Sequence, residues 1–204
     1  MKRIAEELDC GTMTLYYYVR TKADIVALMH DAILAEIFVL KLPVDWRDAV
    51  RAIARRTRDV LLAHPWSAVS LNNAQCGPNA MRHIEQSLAA LDGLDLRPAD
   101  KLKFWGIVDD YVFGSALRTV ASLARMTASE KNPTLLADAK AFSRKQLATG
   151  QFPRLASFER DRPLQDRFAH GKKAGQHRDA ALTTQFEQGL NTILDGLALG
   201  LNLR

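Results

Sequence analysis

The sequence predicts an all-α fold, and three kinds of observation carry that reading. Apolar residues recur at helical spacing along nearly the whole chain, while Val and Ile never settle into the period-two alternation of a strand. Pro43, Pro65, Pro78, Pro98 and Pro133 stand between the periodic segments, where proline ends one helix or opens the next. With 48% apolar content, 204 residues suffice for one buried core with at most a small appendage.

The elements follow in order. Ile4, Ala5 and Leu8 fit a short helix, interrupted at Asp9-Cys10-Gly11. A second short helix starts with Thr12 as its N-cap and turns Leu15 and Val19 inward. A long helix is expected from Lys22 to Leu40, with Ile25, Leu28, Met29, Ala32, Ile33 and Ile37 at helical spacing, and Pro43 ends it. The next runs from Trp46 to His64 and stops at Pro65. Pro78 opens a helix that closes at Gly93. Pro98 opens the longest one, through Met126, whose apolar residues occupy its whole circumference as in a helix buried on several sides. Pro133 opens another towards Gly150. From Gln151 to Arg178 the prolines, glycines and excess charge predict a long exposed loop. A last helix is expected to begin at Thr184 with a Thr184–Glu187 capping box. Phe186, Leu190, Ile193, Leu194, Leu197 and Leu201 form its apolar stripe. This gives about nine helices in all.

Charge and composition exclude more than they select. The net charge is +5, yet residues 140–178 alone hold ten Lys/Arg against three Asp/Glu. Residues 1–25 are balanced, four basic against four acidic. Bulk charge is therefore no argument for nucleic-acid binding, and the basic stretch reads as a solvated face. No apolar run approaches the ~18 residues of a membrane span. Glu6 and Glu7 stand where a signal peptide would be apolar, so a cytoplasmic location is expected. Cys10 and Cys76 make neither a metal pattern nor a disulfide framework. There is no Gly-x-Ser-x-Gly, dinucleotide fingerprint, phosphate-binding loop or His-Glu-x-x-His, so no catalytic residue, metal or cofactor is assigned. A helical enzyme stays as a remote alternative, and a dimeric ligand-binding module without DNA binding as a nearer one.

The stretch CGTMTLYYYVRTKADIV, Cys10 to Val26, carries the sharpest signal. Two short helices around a tight turn have the shape of a helix-turn-helix. With 100° per residue, Leu15 and Val19 share the inward face while Tyr16 and Tyr17 lie well off it. Phenolic hydroxyls on a solvent face can donate to phosphate, and Thr12, Met13 and Thr14 occupy the turn that meets base edges in a recognition helix. The alternative, that the tyrosines pack on neighbouring helices, stays open on geometry alone.

RIAEELDCGTMTLYYYVRTKADIVALMHDAI, from Arg3 to Ile33, closely resembles the DNA-binding segment of the tetracycline-repressor (TetR) family. The match runs through Thr14, Leu15, Tyr16, Tyr18, Val19 and Lys22. The resemblance implies base-edge or groove contacts from Thr12 and Met13. It implies phosphate contacts from Thr14, Tyr16, Tyr18 and Lys22, with Lys2 or Arg3 touching the backbone and Tyr17 less determined. The family carries a further helix before this segment, so a truncated motif with loosened packing around Ile4, Leu8, Leu15 and Val19 is expected.

More loosely, HPWSAVSLNNAQCGPNAMRHIEQSLAAL and FEQGLNTILDGLAL resemble the family's ligand-binding half. The resemblance divides the chain into a DNA-binding domain with its connecting helix, residues 1–42, and a ligand-binding and dimerisation domain, residues 43–204. The Pro98 helix and the last helix would pair with their two-fold mates, since Gly106, Gly114, Ser115 and Ala116 permit close approach. A pocket would lie between Trp46 and Met126. Trp105, Asp109 and Phe113 recur every four residues and suit an apolar or cationic small molecule, with Trp66 and Met81 as further candidates and His64 and Phe104 behind them. For each of these a plain core role stays open. The implied function is a homodimeric repressor that a small-molecule effector releases from a palindromic operator.

Overall fold

The computed structural model describes residues 1–70, 77–161 and 172–203. Among them run ten α-helices and no strand: α1 (Lys2–Glu7), α2 (Thr12–Tyr18), α3 (Lys22–Ala35), α4 (Trp46–Ala63), α5 (Pro65–Ser70), α6 (Pro78–Ala89), α7 (Pro98–Lys131), α8 (Pro133–Ala148), α9 (Pro153–Asp161) and α10 (Lys172–Gly200). They form two compact units, Met1–Leu117 with Leu190–Arg204, and Arg118–Gly189.

Most of the buried residues belong to the first unit. Ala49, Val50, Ile53, Ala54, Val60 and Leu61 of α4 are buried, as are Phe104, Val108, Val112 and Ala116 of α7. The Trp46 and Phe104 rings meet edge to face, centroids 5.7 Å apart, which joins the start of α4 to α7. The end of α10 is held to α4 by polar contacts: Arg47 pairs with Asp195 at 2.7 Å, and Arg51 Nε donates to Asn191 Oδ1 at 2.9 Å. Along α10 the buried residues Phe186, Leu190, Leu194 and Ala198 fall every four positions, as the sequence stripe predicts.

α3 is shorter than its apolar period suggests. The Val39 N–H, which a continuing helix would donate to Ala35, goes instead to Gln86 Oε1 at 3.1 Å. The Glu36 carbonyl accepts from Arg56 Nε at 2.6 Å, and its carboxylate meets His64 Nε2 at 3.0 Å. Side chains from α4 and α6 thus satisfy backbone groups at the end of α3, and the chain is free to turn with Ile37 fully buried. Pro65 both follows α4 and occupies the first position of α5, a helix absent from the sequence expectation.

In the second unit α8 packs on α9. The expected loop over 151–178 is corrected here. Pro153 starts α9, whose first turn is set by Ala156 N donating to Phe152 O at 2.9 Å. α10 already runs from Lys172. High charge reports exposure, not loss of helix. Thr184 is no N-cap either, since it lies inside α10 and its hydroxyl donates back to Ala180 O at 2.9 Å. Cys76 and the central part of the basic stretch lie outside the described residues.

Candidate nucleic-acid interface and ligand cavity

α1 and α2 pack on each other through a small apolar cluster of Ala5, Leu15 and Val19, flanked by Met1, Ile4, Cys10 and Ile25. The turn between them is made by Asp9, at φ 49°, and by Cys10 N donating to Ala5 O at 3.0 Å. Asp9 takes the left-handed conformation, which Asp tolerates better than most residues. Gly11 has an ordinary extended backbone and stands as the N-cap of α2, with Thr12 the first helical residue. The cap is formed by the backbone, because no side chain donates or accepts there.

This packing fixes what faces outward. Met13 is 82% exposed, Tyr17 84% and Tyr18 77%, while Tyr16 is about half as open at 44%. Lys2, Arg3, Thr14 and Lys22 are also exposed, and Thr12 is half-buried. Tyr17 and Tyr18 touch edge to face at 5.2 Å, so the pair stands as one aromatic ridge. α3 begins four residues after α2 with a capping box: Thr21 Oγ1 accepts from Asp24 N, and Asp24 accepts from Thr21 N. The Thr21 N–H, then the Thr21 hydroxyl and the Arg20 N–H, hold the Asp24 carboxyl below its ordinary pKa. Thr21-Lys22-Ala23-Asp24 is a capping-box pattern that the sequence reading passed over.

Helix α6 connects this head to the interior. Its N-cap, Gly77, has no side chain, and α3 supplies the cap: Asp31 accepts from Asn79 N and Ala80 N at 3.0 and 3.1 Å, and from Asn79 Nδ2 at 2.9 Å. A Cβ on Gly77 would collide with the Asp31 carboxylate, so this approach needs glycine. Nine residues after Gly77, Gln86 holds the segment following α3 through Val39 N.

Between these two ties, His83 of α6 is 6% exposed and places Nε2 3.2 Å from Asp109 Oδ1 on α7. His83 lines two spaces. One is a cavity of about 20 Å³ bounded by α4, α6 and α7, with Thr57, Phe104, Trp105 and Asp109 among its walls. The other is a cleft of about 750 Å³ between α6 and the end of α3, lined also by Phe38, Leu40, Arg82 and Gln86. The first holds about one water, whereas the second has the size of small-molecule sites.

The sequence candidates separate here. Trp105 and Asp109 face the inner cavity, and Phe113, four residues on, is half-buried and lines neither space. Met81 is 63% exposed and outside both. Trp66 lies against His30 of α3, ring centroids 5.0 Å apart. His64 ends α4 and engages Glu36. Sequence reasoning missed His83 and Gln86, whose partners are 26 and 47 positions away.

Among the described residues no three His, Cys, Asp or Glu side chains gather as metal ligands, and no helix is long and apolar enough to cross a membrane.

Comparison with known proteins places this architecture. Residues 41–200 match the family profile described as the tetracyclin repressor-like C-terminal domain. An HTH-type transcriptional repressor, DrrR1 of Streptomyces coeruleorubidus, is 32% identical, covering 97% of this chain and 68% of its own. An HTH-type transcriptional regulator of Saccharopolyspora erythraea is 37% identical over 120 residues, covering 56% of this chain. The chain matches only half the length of that second relative. Among solved structures, the Streptomyces coelicolor TetR family protein ActR in complex with actinorhodin superposes with a TM-score of 0.69 at 24% identity, covering 98% of this chain and 87% of its own. Mycobacterium smegmatis BioQ gives 0.61 at 20% identity, covering 97% and 85%. At such identities the likeness speaks for the fold. The profile match over most of the chain, together with the relative aligned over nearly its whole length, shows that the chain belongs to the tetracycline-repressor family.

Proposed function

We propose that the protein is a homodimeric transcriptional repressor that leaves its operator when a small molecule binds between α3, α6 and α7. The observation that carries this reading is the double tie of α6 to the reading head. Asp31 holds one end of α6 to α3, Gln86 holds the segment after α3, and His83 between them walls both spaces. A molecule that moves α6 therefore moves α3, and α3 carries α2 through a linker of only three residues, Val19-Arg20-Thr21. Two α2 helices of a dimer would read half-sites about 34–36 Å apart, and a shift in that spacing lowers operator affinity by population shift. On the exposed side of the motif, Met13 and Thr14 suit the groove, while Tyr16, Tyr18 and Lys22 suit phosphate. Residues 1–42 would read DNA and residues 43–204 would sense the molecule and dimerise. The regulator names of the relatives and the actinorhodin complex of ActR support the reading of a ligand-responsive regulator.

The test is fluorescence anisotropy of labelled DNA from upstream of the protein's own gene, over a range of salt. Expected is a saturable complex with a steep salt dependence, competed by the unlabelled fragment and not by unrelated DNA. Equal affinity for unrelated DNA at every salt concentration would sink the repressor reading.

A further inference from the structure

We infer that the effector is an apolar molecule whose polar atoms are oxygen acceptors, carbonyl or phenolic, and not a cation; this rests on the site proposed above. Three buried nitrogens at that site have no hydrogen-bond partner among the described residues: Trp105 Nε1, Gln86 Nε2 and His83 Nδ1. Buried polar atoms are nearly always satisfied, so three of them along the two spaces that His83 walls are groups a bound molecule can complete.

The chemistry of each follows from its other contacts. Indole N–H can only donate. Gln86 turns Oε1 to the Val39 N–H, and only an oxygen can accept there, so its NH₂ faces the other way as a donor. His83 places Nε2 against the Asp109 carboxylate, so that nitrogen carries the proton. Nδ1 is then a lone pair in the neutral ring or a second N–H in the imidazolium. The site thus offers two fixed donors and one nitrogen that adapts. Carbonyl or phenolic oxygens complement this set, and a phenol can also donate to a neutral Nδ1.

The buried end offers a cation nothing equivalent, and in the cleft the exposed Glu85 shares the wall with the cationic Arg82. Asp109, the one carboxylate lining the inner cavity, is already engaged by His83. The two fixed donors would point their hydrogens at the cation. The aromatic walls alone do not select charge, because Trp105 and Phe104 serve an apolar ring as well as an ammonium. The two spaces also set the order of contact. An apolar body fits the cleft along Phe38 and Leu40, with an oxygen at Gln86; reaching Trp105 requires the molecule to displace His83. Such a molecule disturbs together the Gln86 tie to the segment after α3 and the His83 contact to α7.

Three probes with fused rings test the class: fluorenone, fluorene, which lacks only the carbonyl oxygen, and 9-aminoacridine, a cation at neutral pH. Equilibrium dialysis against the full chain should rank fluorenone about tenfold or more above fluorene, since a buried donor left unmatched is costly. 9-Aminoacridine should bind weakest. Trp105→Phe keeps an aromatic ring and removes the N–H, and Gln86→Glu keeps an oxygen to accept from Val39 N–H and removes the NH₂; each should cut fluorenone affinity, and its preference over fluorene, several-fold. Preference for 9-aminoacridine, equal affinity for fluorenone and fluorene, no binding of any probe, or fluorenone binding indifferent to both substitutions overturns the inference. Thermal unfolding of both variants is followed alongside, and if one does not fold the other decides. The dialysis needs no DNA. A chain that ranks the probes as expected yet ignores its upstream DNA removes the repressor reading and leaves the ligand class, and the converse result removes only the ligand class.

Discussion

The Asp31 carboxylate caps a helix that is not its own, reaching 48 positions along the chain to Asn79 by two hydrogen bonds of 3.0 and 2.9 Å. A third goes to Ala80 N, so the first turn of α6 is satisfied by α3. Asp31→Ala leaves those N–H groups to water. The expected cost is about 1–2 kcal/mol, the size of losing an N-cap, with Asp31→Asn costing less because one acceptor oxygen remains. Urea unfolding followed by circular dichroism measures both. If the tie also transmits the ligand signal, Asp31→Ala should still bind DNA and respond less to an effector that releases the parent protein.

Gly77 is bound to the same contact by space. In Gly77→Ala the new methyl meets the Asp31 carboxylate, so one of the two must move. The single substitution should destabilise by about 1–3 kcal/mol, as overpacking does. Combined with Asp31→Ala the carboxylate is gone and only the Cβ at 3.0 Å remains close, so the pair should cost clearly less than the two single losses added together. Additive losses in the urea midpoints would mean that Gly77 is needed for another reason.

These contacts explain why some of the fold was legible in the sequence and some was not. Prolines and apolar spacing mark helix limits locally, and Pro78, Pro98 and Pro133 each start a helix. The inward Leu15 and Val19 and the outward tyrosines also follow from helix geometry alone. What ends α3 is not local, because Arg56 and Gln86 take its terminal groups from 20 and 47 positions away. The stretch after Gln151 misleads for a different reason: charge predicts solvent, and helices tolerate solvent. The inner site was half readable. Trp105 and Asp109 share a face by spacing, whereas His83 and the direction of the Gln86 amide exist only once α6 lies on α7 and α3.

His30 makes stability depend on pH. It is 2% exposed, and burial pushes its pKa below the ordinary value of 6.5. The unfolded chain therefore binds a proton at His30 in a range where the folded chain does not. Stability from this residue is complete above about pH 6.5 and falls as the pH drops from there towards the lowered folded value. The urea midpoint should decrease between pH 7.5 and 5.5, and His30→Gln should flatten that slope. An unchanged slope would assign the effect to another group.

Tyr16, Tyr18 and Lys22 separate reading DNA from holding the motif together. All three are exposed, while Leu15, which precedes Tyr16, is 7% exposed in the small cluster with Ala5 and Val19. Tyr16→Phe, Tyr18→Phe and Lys22→Ala should change stability by less than about 0.5 kcal/mol. Leu15→Ala should cost about 2–5 kcal/mol, because the cluster is too small to close over the gap. On DNA the order reverses in meaning. Each tyrosine substitution removes a hydroxyl and little packing, so weaker binding at unchanged stability reports a contact. Lys22→Ala should weaken specific and unrelated DNA alike and reduce the slope of log affinity against log salt by about 1, as expected for one phosphate contact. A Lys22 variant with an unaltered salt slope would mean that α3 does not touch the backbone, and that the tyrosine ridge of α2 meets DNA without its support.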